Sequence, residues 1–159
     1  MKFYDLHFKD TEGREHSMQE YAGKVVLIVN TATRCGLAGQ FTELEALHQK
    51  YKDQGLVVIG FPSDQFKHQE PETNETMANV CKINFGVTFL LAEKCDVNGP
   101  TTHPVFAYLK KARWSLWGNR IKWNFTKFII DKQGAVIKRV APTVSPLTLT
   151  VTIEAALTQ

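Results

Sequence analysis

The chain has 159 residues, 43% of them hydrophobic and 22% charged, which are the proportions of one globular domain and not of a disordered chain. The net charge of +3 is too small to point to nucleic acid as the main partner. No apolar run approaches the roughly 20 residues that span a bilayer. The opening Met1–His7 lacks the apolar stretch and cleavage site of a secretory signal, so a cytoplasmic location is expected.

Phe3–Phe8 and Glu15–Met18 flank Asp10-Thr11-Glu12-Gly13, which predicts an N-terminal hairpin. Lys24–Asn30, K-V-V-L-I-V-N, is an unbroken apolar run and predicts a strand buried on both faces. From Gln40 the spacing of Phe41, Leu44, Leu47, His48 and Tyr51 is helical, and Gly55 ends the segment as a C-cap does. A second buried strand, Leu56–Phe61, stops at Pro62, so the first half reads as a parallel βαβ unit.

Glu72–Phe85 predicts a helix with Met77, Val80, Cys81 and Asn84 near one face, and Val87–Leu91 a short strand. Asn98-Gly99-Pro100 marks a turn, and His103–Ala112 reads as a helix. Phe125–Asp131 and Ala135–Val140 predict an antiparallel pair, and Pro146 opens a last helix that ends near Leu157. The sum is an α/β domain with a mixed sheet and helices on both faces.

The cysteines are Cys35, Cys81 and Cys95. An odd number without a signal peptide does not describe a disulfide framework, and no C-x-x-C pair is present. Cys35 follows a buried strand and precedes a helix, where free N–H groups favour the thiolate, the nucleophilic form of sulfur. Arg34 adds charge beside it. A small buried hydrophobe is the competing reading of the same position. The histidines, His7, His16, His48, His68 and His103, show no metal-ligand spacing, so no metal and no cofactor are predicted.

V-N-T-A-T-R-C-G (Val29–Gly36), G-F-P-S-D-Q-F (Gly60–Phe66) with Gln69-Glu70-Pro71, and K-W-N-F-T-K-F (Lys122–Phe128) resemble, in order, the three signatures of the glutathione peroxidase family. Val97-Asn98-Gly99 with His103-Pro104, and A-P-T-V-S-P (Ala141–Pro146), extend the resemblance over nearly the whole chain. It implies a thioredoxin-like fold and a thiol peroxidase. The family's active-site tetrad falls on Cys35, Gln69, Trp123 and Asn124. The chemistry suits those types. Gln, Asn and Trp side chains are neutral donors that stabilise a thiolate and the charge on a leaving oxygen.

The resemblance also places the family's resolving cysteine on Cys81. It implies a Cys35–Cys81 disulfide in the cycle, with thioredoxin or glutathione as reductant of the peroxidase. A helix carrying Cys81 must then unwind in part, because bonded cysteines need Cα atoms within about 7 Å. Cys95 takes no family role and reads as structural or incidental.

Departures from the family are Ser63 for a cysteine, Asp64 for an asparagine and Leu90 for a proline. The short stretch Ala112–Arg120 lacks the insertion of tetrameric members, so a monomer with an open site is expected, admitting hydrogen peroxide and lipid hydroperoxides. Lys110, Lys111, Arg113, Arg120 and Lys122 form a basic cluster that would steer an acidic thioredoxin or touch anionic lipid, or else simply be a solvated face. Other readings are a peroxide sensor passing oxidation to a regulator, a copper carrier and a peroxiredoxin. Missing C-x-x-x-C and P-x-x-x-T-x-x-C patterns disfavour the last two.

Overall fold

The computed structural model describes residues 1–113 and 118–159. Its strands in chain order are β1 (His7–Lys9), β2 (Glu15–Ser17), β3 (Val25–Thr31), β4 (Leu56–Pro62), β5 (Leu90–Leu91), β6 (Lys127–Ile130) and β7 (Val136–Val140). The α-helices are α1 (Gln40–Tyr51), α2 (Asn74–Phe85), α3 (Pro104–Ala112) and α4 (Thr150–Leu157). Strands β3 to β7 form one sheet in the order β5-β4-β3-β6-β7, while β1 and β2 pair separately. The β3–β4 and β4–β5 pairs are parallel; β3–β6 and β6–β7 are antiparallel.

The unbroken apolar run has its reason in β3. All seven of its residues are buried. Val25, Leu27 and Val29 enter one core with Phe41, Leu44 and Leu47 of α1 and Ile153 of α4. Val26 and Ile28, one residue out of step, enter the other core with Phe106 and Leu109 of α3 and with Phe3, Leu6 and Phe8. A central strand whose side chains alternate between two cores has no solvent face to carry a polar residue. Removing one of its large partners, as in Phe41→Ala, costs roughly 3–5 kcal/mol.

Helices thus lie on both faces, and the mixed sheet and N-terminal hairpin are present as expected. Several boundaries differ. Phe3–Asp5 is a 3-10 turn, not strand, because Phe3 is drawn into the second core, so the hairpin is only three residues a side. Strand β5 keeps two of its five expected residues. The last helix begins as a 3-10 turn over Pro146–Leu149. Gly55 does adopt the left-handed conformation, φ 106°, but after a 3-10 turn that follows α1. Residues 114–117 of the short 112–120 stretch lie outside the described residues.

Helix α2 is the least embedded of the four. Met77 and Cys81 are its buried residues, Val80 is half-buried, Asn84 is exposed, and Ile83 is 73% exposed. Gly86, at φ 70°, closes it with a left-handed cap. A helix of this length gains little from propensity alone, so two buried side chains, worth about 1.5–3 kcal/mol each, supply much of what holds it.

Candidate active site

The four residues of the expected tetrad come from segments at one end of the sheet, while Cys81 lies in α2. Cys35 lies in the turn after β3, Gln69 in the loop after β4, and Trp123 and Asn124 in the turn before β6. Strands β3 and β4 run parallel, so their carboxyl ends share an edge. Strand β6 is antiparallel to β3, so its start lies at that same edge. Ligands of open α/β sheets bind outside this edge.

Each loop is fastened to its neighbour. The Arg34 backbone N–H donates to the Gln69 carbonyl at 2.9 Å, tying the cysteine turn to the glutamine loop. Asn124 Nδ2 donates to Gln69 Oε1 at 3.0 Å, tying that loop to the third segment. Asn124 is fully buried, and its Oδ1 has no partner among the described residues. Trp123 is half-buried, tilted against Phe66 at 5.6 Å, with Lys67 Nζ 5.9 Å from its ring.

Cys35 is 8% exposed, and the Leu37 N–H donates to its Sγ at 3.4 Å. One expectation is corrected here. Cys35 does not sit at the N-terminus of an α-helix, because α1 begins at Gln40. The intervening residues form successive i→i+3 bonds, Ala38 N–H to the Cys35 carbonyl at 2.9 Å among them. The N–H on sulfur therefore comes from a tight turn and not from a helix end. Arg34 is exposed and meets the site through its backbone.

Backbone strain marks two of the loops. Lys67 and His68 have φ of 55° and 53°, and Phe125 has φ of 67°. Such angles are disfavoured for residues with a Cβ and persist only when neighbours enforce them. His68 is held by Asp64, whose Oδ2 lies 2.9 Å from Nδ1 while Oδ1 accepts the Glu70 N–H at 3.1 Å.

The Phe125 turn is held by Asn30, which sequence reasoning passed over as the end of an apolar strand. Asn30 Nδ2 donates to the Trp123 carbonyl at 3.1 Å, and its Oδ1 accepts the Thr126 N–H at 3.0 Å. Its carbonyl also accepts the Phe125 N–H at 2.7 Å. The only available signal was an amide closing a run of hydrophobes.

Glu70 was missed in the same way. It is fully buried, and accepts the Thr33 N–H at 3.2 Å on Oε1 and the Thr33 O–H at 2.6 Å on Oε2. Burial raises its carboxyl pKa above the usual range, with the Thr33 and Glu72 donors and Lys94 acting against it.

Lys127 is fully buried too, and Nζ donates to the carbonyls of Ala141, Pro142 and Val144 at 3.2, 2.8 and 2.6 Å. Burial lowers its pKa to about 8, partly opposed by Glu43. It fastens the A-P-T-V-S-P loop, which Gln40 also holds through Pro142 at 2.7 Å.

All three cysteines are free thiols. Cys81 is completely buried in α2, and burial, then Glu70 and Glu72, push it up to about 12. Cys95 is partly buried and lies outside the tetrad; burial with Asp96 and Glu93 pushes it to about 12 as well. The basic cluster is engaged locally: Lys110 Nζ donates to the Val97 carbonyl at 2.7 Å, and Arg113 Nε to that of Val136 at 2.9 Å. No helix among the described residues is long and apolar enough to cross a membrane.

The family model described as glutathione peroxidase matches residues 3–110. A glutathione peroxidase homolog, BsaA, of Halalkalibacterium halodurans is 46% identical over 154 residues, 97% of this chain and 98% of that one. The glutathione peroxidase-like peroxiredoxin HYR1 of Saccharomyces cerevisiae is 47% identical over 96% of this chain and 94% of its own. Among solved structures, Trgpx in its apo form superposes with a TM-score of 0.83 at 37% identity, covering 100% of this chain and 97% of that one. A thioredoxin-family thiol:disulfide interchange protein of Chlorobium tepidum superposes at 0.72 with 15% identity, covering 96% and 92%; the fold is thioredoxin-like.

Proposed function

The chain belongs to the glutathione peroxidase family, and from that premise we propose that it is a thiol peroxidase with Cys35 as the attacking sulfur. The observation that carries this reading is the Gln69–Asn124 pair. Gln69 Oε1 and Asn124 Nδ2 satisfy one another. That leaves the Gln69 amide N–H2 as a donor and the buried Asn124 Oδ1 as an acceptor. A hydroperoxide carries one O–H donor and two acceptor oxygens, so the pair is complementary to it.

In the reaction the Cys35 thiolate attacks the terminal oxygen. The S–O bond forms as the O–O bond breaks, and the leaving oxygen takes a proton to depart as water or alcohol. Donors aimed at the leaving oxygen stabilise its developing charge. The Leu37 N–H, 3.4 Å from Sγ, is a donor on the attacking side. Trp123, at the joint of both cores, supplies an indole N–H and a wall.

The product is a Cys35 sulfenic acid, which condenses readily with a second thiol. We assign that thiol to Cys81: its sulfur displaces hydroxide from Cys35, which leaves as water, and a disulfide remains. A dithiol such as thioredoxin, or two glutathiones, then reduces the disulfide and restores both thiols. Cys81 in place is buried and protonated far above neutrality, so α2 has to open first. Its sparse burial makes that opening inexpensive. The active form is a monomer, and its substrates include hydrogen peroxide and lipid hydroperoxides.

The test is peroxide-dependent NADPH oxidation coupled through thioredoxin and its reductase. Wild type turns over, while Cys35→Ser and Cys81→Ser do not. Activity retained in Cys35→Ser would overturn the nucleophile; activity retained in Cys81→Ser alone would remove the resolver.

A further inference from the structure

Burying a carboxylate without a cationic partner is costly, and it persists only where hydrogen bonds replace the lost water. Glu70 is fully buried, and among the described residues no ion pair reaches it. Its two oxygens instead grip one residue: Thr33 gives its N–H to Oε1 at 3.2 Å and its O–H to Oε2 at 2.6 Å. Oε2 also takes the Glu72 N–H at 3.4 Å. Thr33 stands two residues before Cys35, and Glu70 one residue after Gln69. Between these two grips lies the Arg34 N–H to Gln69 carbonyl bond at 2.9 Å. The cysteine turn and the glutamine loop are therefore joined by three bonds across the strand ends, two of them made by one carboxylate.

We propose that Glu70 is a positioning residue for peroxide reduction, its carboxylate clamping Thr33 so that the Cys35 turn and Gln69 keep a fixed register. It touches neither sulfur nor peroxide. The inference rests on the reading of Cys35 and Gln69 given above. The geometry demands an acceptor for the Thr33 N–H, which has no second partner among the described residues. Glutamine supplies one, because its carbonyl takes that N–H while its amide donates to the Thr33 hydroxyl, which rotates to accept. Alanine supplies nothing.

The experiment is the second-order rate of Cys35 oxidation by hydrogen peroxide in a single turnover, for wild type, Glu70→Ala, Glu70→Gln, Thr33→Val, the Thr33→Val/Glu70→Ala double variant and Cys35→Ser. Misplacing the reacting groups predicts a loss of about 100-fold in Glu70→Ala. Rescue predicts that Glu70→Gln stays within about tenfold of wild type, and loss of one hydrogen bond predicts about tenfold in Thr33→Val. The double variant is no slower than Glu70→Ala alone, since both changes release the same clamp. Wild-type rates in Glu70→Ala, or a double variant showing the product of the two separate losses, would overturn the proposal. If Glu70→Ala does not fold, a Glu70→Gln loss well beyond about tenfold does so instead. Peroxide consumption undiminished in Cys35→Ser would mark failure of the underlying site reading, a result separate from any behaviour of Glu70.

Discussion

Asn124 Nδ2 donates to Oε1 of Gln69 at 3.0 Å, so two side chains 55 positions apart fix each other's amide orientation. Each then has one polar end to spare, a donor on Gln69 and an acceptor on Asn124. The two should act as a unit. Gln69→Ala and Asn124→Ala are each expected to slow the reaction with peroxide by roughly 100-fold or more, the size seen for loss of one oxyanion donor. The double variant should fall little below the worse single one. Stopped-flow rates for the three variants check this. Losses that multiply would mean two independent contacts.

Cys81 gives a prediction about chemical reactivity. At pH 7.5 a thiol that ionises near 12 is almost wholly protonated, and it is also out of reach of reagents. Iodoacetamide should modify Cys81 in the native, reduced protein only as fast as α2 opens, and urea below the unfolding midpoint should accelerate that step. Hydrogen exchange across Asn74–Phe85 should be among the fastest of the helices. Slow exchange there, matching α1, would remove the opening that the proposed Cys35–Cys81 disulfide requires.

Lys127 predicts a pH dependence of stability. Its ammonium is lowered to about 8 in the folded protein against about 10.4 in the unfolded chain. Between these values the unfolded chain holds the extra proton, so stability contributed by this group rises with pH, by an order of 3 kcal/mol at most. Cys81 and Cys95, raised in the fold, titrate in the opposite sense at similar pH. The quantity to measure is therefore the difference in urea unfolding between wild type and Lys127→Met from pH 7.5 to 10.5. Wild type should gain on the variant as pH rises; a constant difference would mean that the lysine titrates normally.

Asn30 should behave as a structural clamp. Asn30→Ala strands the Thr126 N–H inside the protein and leaves the Trp123 carbonyl only the Thr126 hydroxyl, at 3.1 Å. One stranded buried donor and one lost hydrogen bond cost roughly 1.5–4.5 kcal/mol together. Because these side-chain bonds flank Phe125, whose φ is positive, peroxide reactivity should fall along with the melting temperature. A loss of stability with full reactivity would separate the clamp from the site.

Much of the fold was legible in sequence because its strongest signals are local. The apolar run at Val25–Val29 and the helical spacing of Phe41, Leu44 and Leu47 each report burial directly, and the structure buries all of them. Boundaries were less legible. Phe3 reads as strand from its neighbours, yet its place is set by a core assembled from α3 and β6. The candidate site was legible by type, since a cysteine, two amides and an indole stand in recognisable motifs. Their supports were not. Asn30, Thr33, Glu70 and Lys127 look like ordinary polar residues, and only long-range bonds reveal their work.

The sequence by itself determined which residues are apolar, where the chain turns, and which side chains carry nucleophilic or donor chemistry, because these are properties of residues and short spacings. The tertiary structure decided which polar groups are buried and what satisfies them. Antiparallel β6 brings Asn124 back to the end of β3. A loop after β4 brings Gln69 to Asn124 and Glu70 to Thr33. A carboxylate or amide acquires its role from the dielectric around it and the partner opposite it, and both are set only when distant segments pack together.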